Sequence, residues 1–188
     1  MISRVTHALA LLLCIASQPA YSAFAPEPAI APFSFAVFCA RQPAECQPHS
    51  DARRPQLTSP RERWRQLNDV NRLVNRAILA KSEPASPSDY EWLIFPAAGR
   101  CADYAVTKRH LLLRAGWPSS SLQLAEVVLH ESGEHHLILI VKEAGASFVL
   151  DNLNGAIERL PDVLNRYSLA RIESAQDPQV WFRPSARS

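Results

Sequence analysis

Cys101, His136 and Asp151 are the residue types that nucleophilic acyl transfer requires, and they occur in a workable order along the chain. A cysteine supplies the sulfur nucleophile, a histidine takes and returns its proton, and a carboxylate fixes the imidazole tautomer. Cys101 follows Gly99-Arg100 and opens a stretch whose pattern predicts a helix running to about Ala115, with Gly116 as its stop and Pro118 beyond. A sulfur in the first helical turn lies at the positive end of the macrodipole. The unpaired backbone N–H groups there can also bind an oxyanion.

His136 and Asp151 can meet only if the chain between them folds as a hairpin. Residues 135–141 and 148–153 read as strands joined across Glu143-Ala144-Gly145-Ala146-Ser147. With Ala144-Gly145 as a two-residue turn, Asp151 falls opposite Ile138, which shares a strand face with His136. Imidazole and carboxylate then become diagonal neighbours. A loop of odd length would put them on opposite faces. His135 is the competing base, but alternation turns it away. His110 and His130 read as surface residues, and His49 lies in an irregular stretch. Cys101, His136 and Asp151 are also types that can ligate zinc, yet the sequence has no close-spaced pair such as Cys-x-x-Cys, so no metal is expected at this set.

The elements that must position these groups leave clear marks. Ser59, Pro60 and Glu62 form an N-cap, a first helical position and a capping-box partner. Trp64, Leu67, Val70, Val74, Ala77 and Ile78 then recur at helical steps, which predicts an amphipathic helix ending near Lys81. Asn71 and Asn75 sit on the edge of that stripe. If buried, their amides must bond to a neighbouring loop. Residues 82–99 read as a loop that packs Tyr90, Trp92 and Phe95 beside the next helix. Residues 122–129 and 167–172 add strands, so the plan is α+β, with N-terminal helices followed by an antiparallel sheet.

With 188 residues and a net charge of +2, the chain fits one catalytic domain, expected over 58–188, preceded by a Pro-rich arm over 26–57 that carries a short buried piece near Phe33 to Cys39. Residues 1–25 read as a secretory signal, with Arg4, an apolar run from Ala8 to Ala16 and small residues beyond. Leu13 before Cys14 is too large for a lipoprotein signal. The expected location is therefore the periplasm or the exterior. No later apolar run is long enough to insert in a membrane, and the scattered arginines give no nucleic-acid surface. Export would leave Cys39, Cys46 and Cys101. The simplest assignment pairs the first two and leaves Cys101 free, while the alternative leaves all three reduced.

Three blocks then become familiar: Cys101-Ala102-Asp103-Tyr104-Ala105-Val106-Thr107-Lys108, Gly133-Glu134-His135-His136-Leu137-Ile138-Leu139 and Val149-Leu150-Asp151-Asn152-Leu153. With Val70-Asn71-Arg72-Leu73-Val74-Asn75 and Gly116-Trp117-Pro118, they resemble the bacterial transglutaminase-like cysteine peptidases over roughly Arg63 to Phe182. The resemblance implies a transglutaminase-like (papain-like) fold, export, a protein or peptide substrate, and Cys101, His136 and Asp151 as a catalytic triad. LapG-type members of that family carry an acidic residue on each side of the nucleophile and depend on calcium. Here those positions are Arg100 and Ala102, so no calcium and no other cofactor is expected. Transamidation by an amine, and a non-catalytic peptide-binding module of the same fold, are the alternative readings.

Overall fold

In the computed structural model, which describes residues 27–48, 59–81 and 91–184, the segment ahead of the first predicted helix already contributes to the core. Glu27–Ala29 (β1) pairs antiparallel with Trp181–Arg183 (β9) near the other end of the chain. The expected irregular arm instead contains a helix, Phe33–Arg41 (α1), which buries Phe35 and Phe38. Trp181 and Trp92 close over Phe35 with ring centroids 5.2 and 5.8 Å away. A short 3-10 turn, Pro43–Cys46, follows and joins α1 through a Cys39–Cys46 disulfide. This resolves the two cysteine assignments in favour of the pair, with Cys101 a free thiol. The residues of the expected signal, together with His49 and Tyr90, lie outside the described residues.

Pro60–Ala77 (α2) begins where its cap predicts, with the Ser59 hydroxyl accepting the Glu62 N–H at 3.2 Å. It stops earlier than the stripe suggested, because Leu79–Ala80 (β2) leaves the helix to form a parallel two-residue ladder with Ala98–Gly99 (β3). Leu67 and Val74 are fully buried, whereas Ala77 is exposed and Trp64 is half-exposed with its ring 5.1 Å from Phe148. Cys101–Arg114 (α3) follows β3 directly.

The large sheet takes in Leu122–Leu129 (β4), His135–Glu143 (β5), Ala146–Leu150 (β6), Glu158–Arg159 (β7), Tyr167–Glu173 (β8), β1 and β9. Leu160–Val163 forms a single helical turn (α4) after β7. The strand order is β1-β9-β8-β4-β5-β6-β7, and every pairing is antiparallel. Alternation sorts β5 cleanly. Leu137, Leu139 and Val141 meet Ala102, Ala105, Val106 and Leu112 of α3 in the main core, while Ile138 and Ile140 join a second cluster with Val127, Val149, Val163 and Tyr167. On its other side α3 packs Tyr104 and Leu111 against Val70, Val74 and Ile78 along the line of α2. The helix that opens with Cys101 is thus held between a sheet and a second helix, which makes its N-terminus a rigid platform.

A buried polar set fastens the same helix from below. Arg109 donates to the Glu45 and Leu122 carbonyls, and its guanidinium stands 3.4 Å from Glu173, where both groups are nearly solvent-free. Burial pushes the Glu173 carboxyl up to about 7, against the pull of Arg109 and of the Leu124 N–H.

Candidate active site

Cys101 is the first residue of α3, half-buried, with its sulfur at the helix N-terminus. Two features fix that start. Asp103 accepts the Arg100 N–H at 2.7 Å and the Leu93 N–H at 2.8 Å, so it ties the helix to the preceding loop. Gly99 then has to be a glycine, because a Cβ there would meet the Asp103 carboxylate at 2.6 Å.

The hairpin forms as the two-residue turn requires. Glu143 pairs with Ala146, and Ala144 and Gly145 take φ values of 49° and 77°. Leu139 pairs with Leu150, so Asp151, one residue beyond the strand, continues that register to Ile138. His136 Nε2 donates to Asp151 Oδ1 at 2.7 Å. That bond fixes the tautomer and leaves Nδ1 uncommitted, and the Cys101 side chain is close enough to act on the imidazole. His135 points outward and pairs with Glu126 at 2.6 Å, as alternation demands. His130 is exposed. His110 is not the free surface residue expected, being half-buried against Glu45 at 2.6 Å.

Electrostatics reinforce the geometry. Burial by itself would lower the His136 pKa, but the hydrogen bonds and charges of Asp151 and Cys101 outweigh it and lift the imidazolium to about 9. Burial likewise pushes Asp151 up. The bond and charge of His136, the Leu153 N–H at 3.0 Å and the Tyr167 hydroxyl at 2.7 Å hold its carboxyl below the ordinary range. Asp151 is therefore a buried, ionised acceptor with a partner on each oxygen.

Tyr167 gave no functional sign in the sequence beyond opening a predicted strand. Its hydroxyl reaches Asp151 from β8, a strand two places away from β5 in the sheet, so no local spacing could reveal it. Asn71 and Asn75 were readable in part, since a buried helix edge required amide bonds to a loop. Asn75 donates to the Asp151 carbonyl at 2.8 Å, and Asn71, fully buried, donates to the Gly155 carbonyl at 3.1 Å. The pair clasps the loop that carries Asp151 onto α2.

Among the described residues, no group of three or more His, Cys, Asp or Glu side chains is arranged to hold a metal ion. No helix there is long and apolar enough to cross a membrane.

Residues 25–187 match the family described as bacterial transglutaminase-like cysteine proteinase, BTLCP. No curated protein matches the chain in sequence. Among solved structures, calcium-bound LapG of Legionella pneumophila superposes with a TM-score of 0.56 at 18% identity, covering 82% of this chain and 80% of that one. A second LapG structure from the same organism gives 0.53 at 17% identity over 79% and 77%, and an EGTA-treated form gives 0.51 at 16% over 82% and 78%. At these identities the likeness concerns the fold, which is the expected α+β, transglutaminase-like one.

Proposed function

Because the chain belongs to the bacterial transglutaminase-like cysteine proteinases, we propose that Cys101, His136 and Asp151 form its catalytic triad and cleave amide bonds through a thioacyl intermediate. The observation that carries this reading is the buried imidazole of His136, bonded through Nε2 to Asp151 at 2.7 Å and electrostatically coupled to the Cys101 side chain at the start of α3. As a peptidase, the protein acts on protein or peptide substrates.

In the first half-reaction His136 Nδ1 holds the proton that the thiol has given up, and the sulfur attacks the amide carbonyl carbon as a thiolate. The oxygen becomes an oxyanion, for which the Cys101 backbone N–H at the start of α3 is one donor. Nδ1 then delivers its proton to the leaving amine and the C–N bond breaks, leaving a thioester. Water resolves it, giving its proton to His136, and the acid departs as the thiol is restored. Throughout, Asp151 keeps Nε2 protonated, so Nδ1 alone exchanges. An amine in place of water would make the same intermediate a transamidation, but water is the abundant acceptor and the family is one of peptidases.

We also propose that the chain works without calcium, although a LapG structure is calcium-bound. Beside Cys101 stand the cation of Arg100 and the methyl of Ala102, and both oxygens of nearby Asp103 already accept backbone N–H groups. A hard divalent ion needs several free oxygen ligands, and this set does not fit one. Residues 1–25 carry the pattern of an export signal, and the Cys39–Cys46 disulfide agrees with an oxidising destination such as the periplasm.

Iodoacetamide labelling at mildly acidic pH, read on the Cys101 peptide by mass spectrometry, tests the Cys–His pairing. The wild-type protein should label fast and His136→Ala should label slowly. Equal rates in the two would overturn the pairing.

A further inference from the structure

Tyr167 touches the site and has no part in the mechanism above. Its ring belongs to the second core cluster, with Val127, Ile138, Val149 and Val163, so the sheet and α4 hold it in place. From that position the hydroxyl donates to Asp151 Oδ2 at 2.7 Å. The other oxygen, Oδ1, accepts from His136 Nε2 at 2.7 Å and from the Leu153 N–H at 3.0 Å. Phenol and imidazole are themselves neighbours, with ring centroids 6.0 Å apart. A phenylalanine would suit the apolar cluster by shape, so packing alone gives no reason for the hydroxyl.

A hydrogen bond to an ionised carboxylate stabilises its charge and weakens its hold on a proton. Asp151 is buried, so the donors around it set how that charge is spread. Tyr167 draws charge toward Oδ2 and away from Oδ1, the oxygen that faces His136. The imidazolium beside it then keeps its proton less tightly than it would beside an unshared carboxylate. Burial, with the bond and charge of Asp151, pushes the phenol above its ordinary range, so it stays a donor throughout the interval in which His136 titrates.

We propose that Tyr167 is a positioning residue that shares the charge of Asp151 and thereby sets how tightly His136 holds its proton. This rests on the triad reading. The other charged and titratable groups around the pair come from three elements. Cys101 of α3 acts on the imidazole, and Lys108 of the same helix, brought down to about 7 by burial, titrates below it. Arg166, just ahead of β8, lies 5.5 Å from the Tyr167 ring centroid and donates to Glu158 of β7 at 2.8 Å. That bond lowers the Glu158 carboxyl and raises the Arg166 guanidinium, so both stay charged while His136 titrates.

The test follows His136 across pH by nitrogen NMR of the histidine-labelled full chain, in wild type and Tyr167→Phe, beside the pH profile of peptide-pool turnover. His136 should lose its proton about one unit higher in Tyr167→Phe, a tenfold gain in proton affinity, and the alkaline limb of turnover should move with it. A meta-fluorotyrosine inserted at position 167 is a stronger donor and should move both lower. A titration in Tyr167→Phe that is unmoved, or moved lower, overturns the proposal. So does a fluorinated chain that titrates as wild type. Turnover reduced at every pH with an unmoved titration assigns the hydroxyl to the fold and overturns it too. If Tyr167→Phe fails to fold, the fluorinated chain decides alone. The NMR titration needs no turnover, so it judges Tyr167 separately from the triad reading, which fails if Cys101→Ala cleaves like wild type.

Discussion

Asp151 is the residue on which the site converges. Its two oxygens receive an imidazole, a phenol and a backbone amide, and its carbonyl is taken by Asn75. The folded chain holds the His136 proton up to about pH 9, while the unfolded chain releases it near 6.5. The contribution of the pair to stability is therefore complete below pH 6.5 and is lost as pH rises through 9. Asp151→Asn should lower kcat by roughly 10²- to 10⁴-fold. Its stability deficit against wild type, measured by thermal unfolding, should be largest at pH 6.5 and shrink toward pH 9; a deficit independent of pH would contradict this sign. The diagonal placement of His136 and Asp151 was legible because period-2 alternation and a two-residue turn leave one register. Tyr167 was not, because its partner is set by which elements pack together and no spacing within one element encodes that.

At the scale of elements, the Asn71 and Asn75 clasp joins α2 to the loop after β6. Asn75→Ala would leave a part-buried carbonyl of Asp151 without its donor, a loss of about 1–3 kcal/mol. Urea unfolding should register it, and kcat should fall with it because the loop that carries Asp151 is released. A variant with lowered stability but wild-type kcat would show that the loop holds its position unaided. Long elements were readable and short ones were not. The caps of α2 and the start of α3 follow from single residues, whereas the two-residue ladder of β2 and β3 is too brief to show a period. α1 was read as part of an irregular arm for a similar reason: it buries only Phe35 and Phe38, and Phe33 faces out, 81% exposed.

Across the whole molecule, segments far apart in sequence support one helix. Glu45, next to the disulfide, accepts from Arg109, which also faces Glu173 of β8, so α1, the 3-10 turn, α3 and the sheet share one polar anchor beneath the site. On the calcium-free reading proposed above, this anchor organises the helix that bears Cys101 without an ion. Turnover of a peptide pool should therefore survive treatment with EGTA, followed by mass spectrometry of the fragments; a loss restored only by added calcium would contradict the calcium-free reading.

The central claim is that the Cys101 sulfur performs the cleavage. Cys101→Ala, incubated with the same peptide pool, should give no fragments above the enzyme-free control while its circular dichroism and Tm match wild type. Undiminished cleavage by that correctly folded variant would contradict the claim.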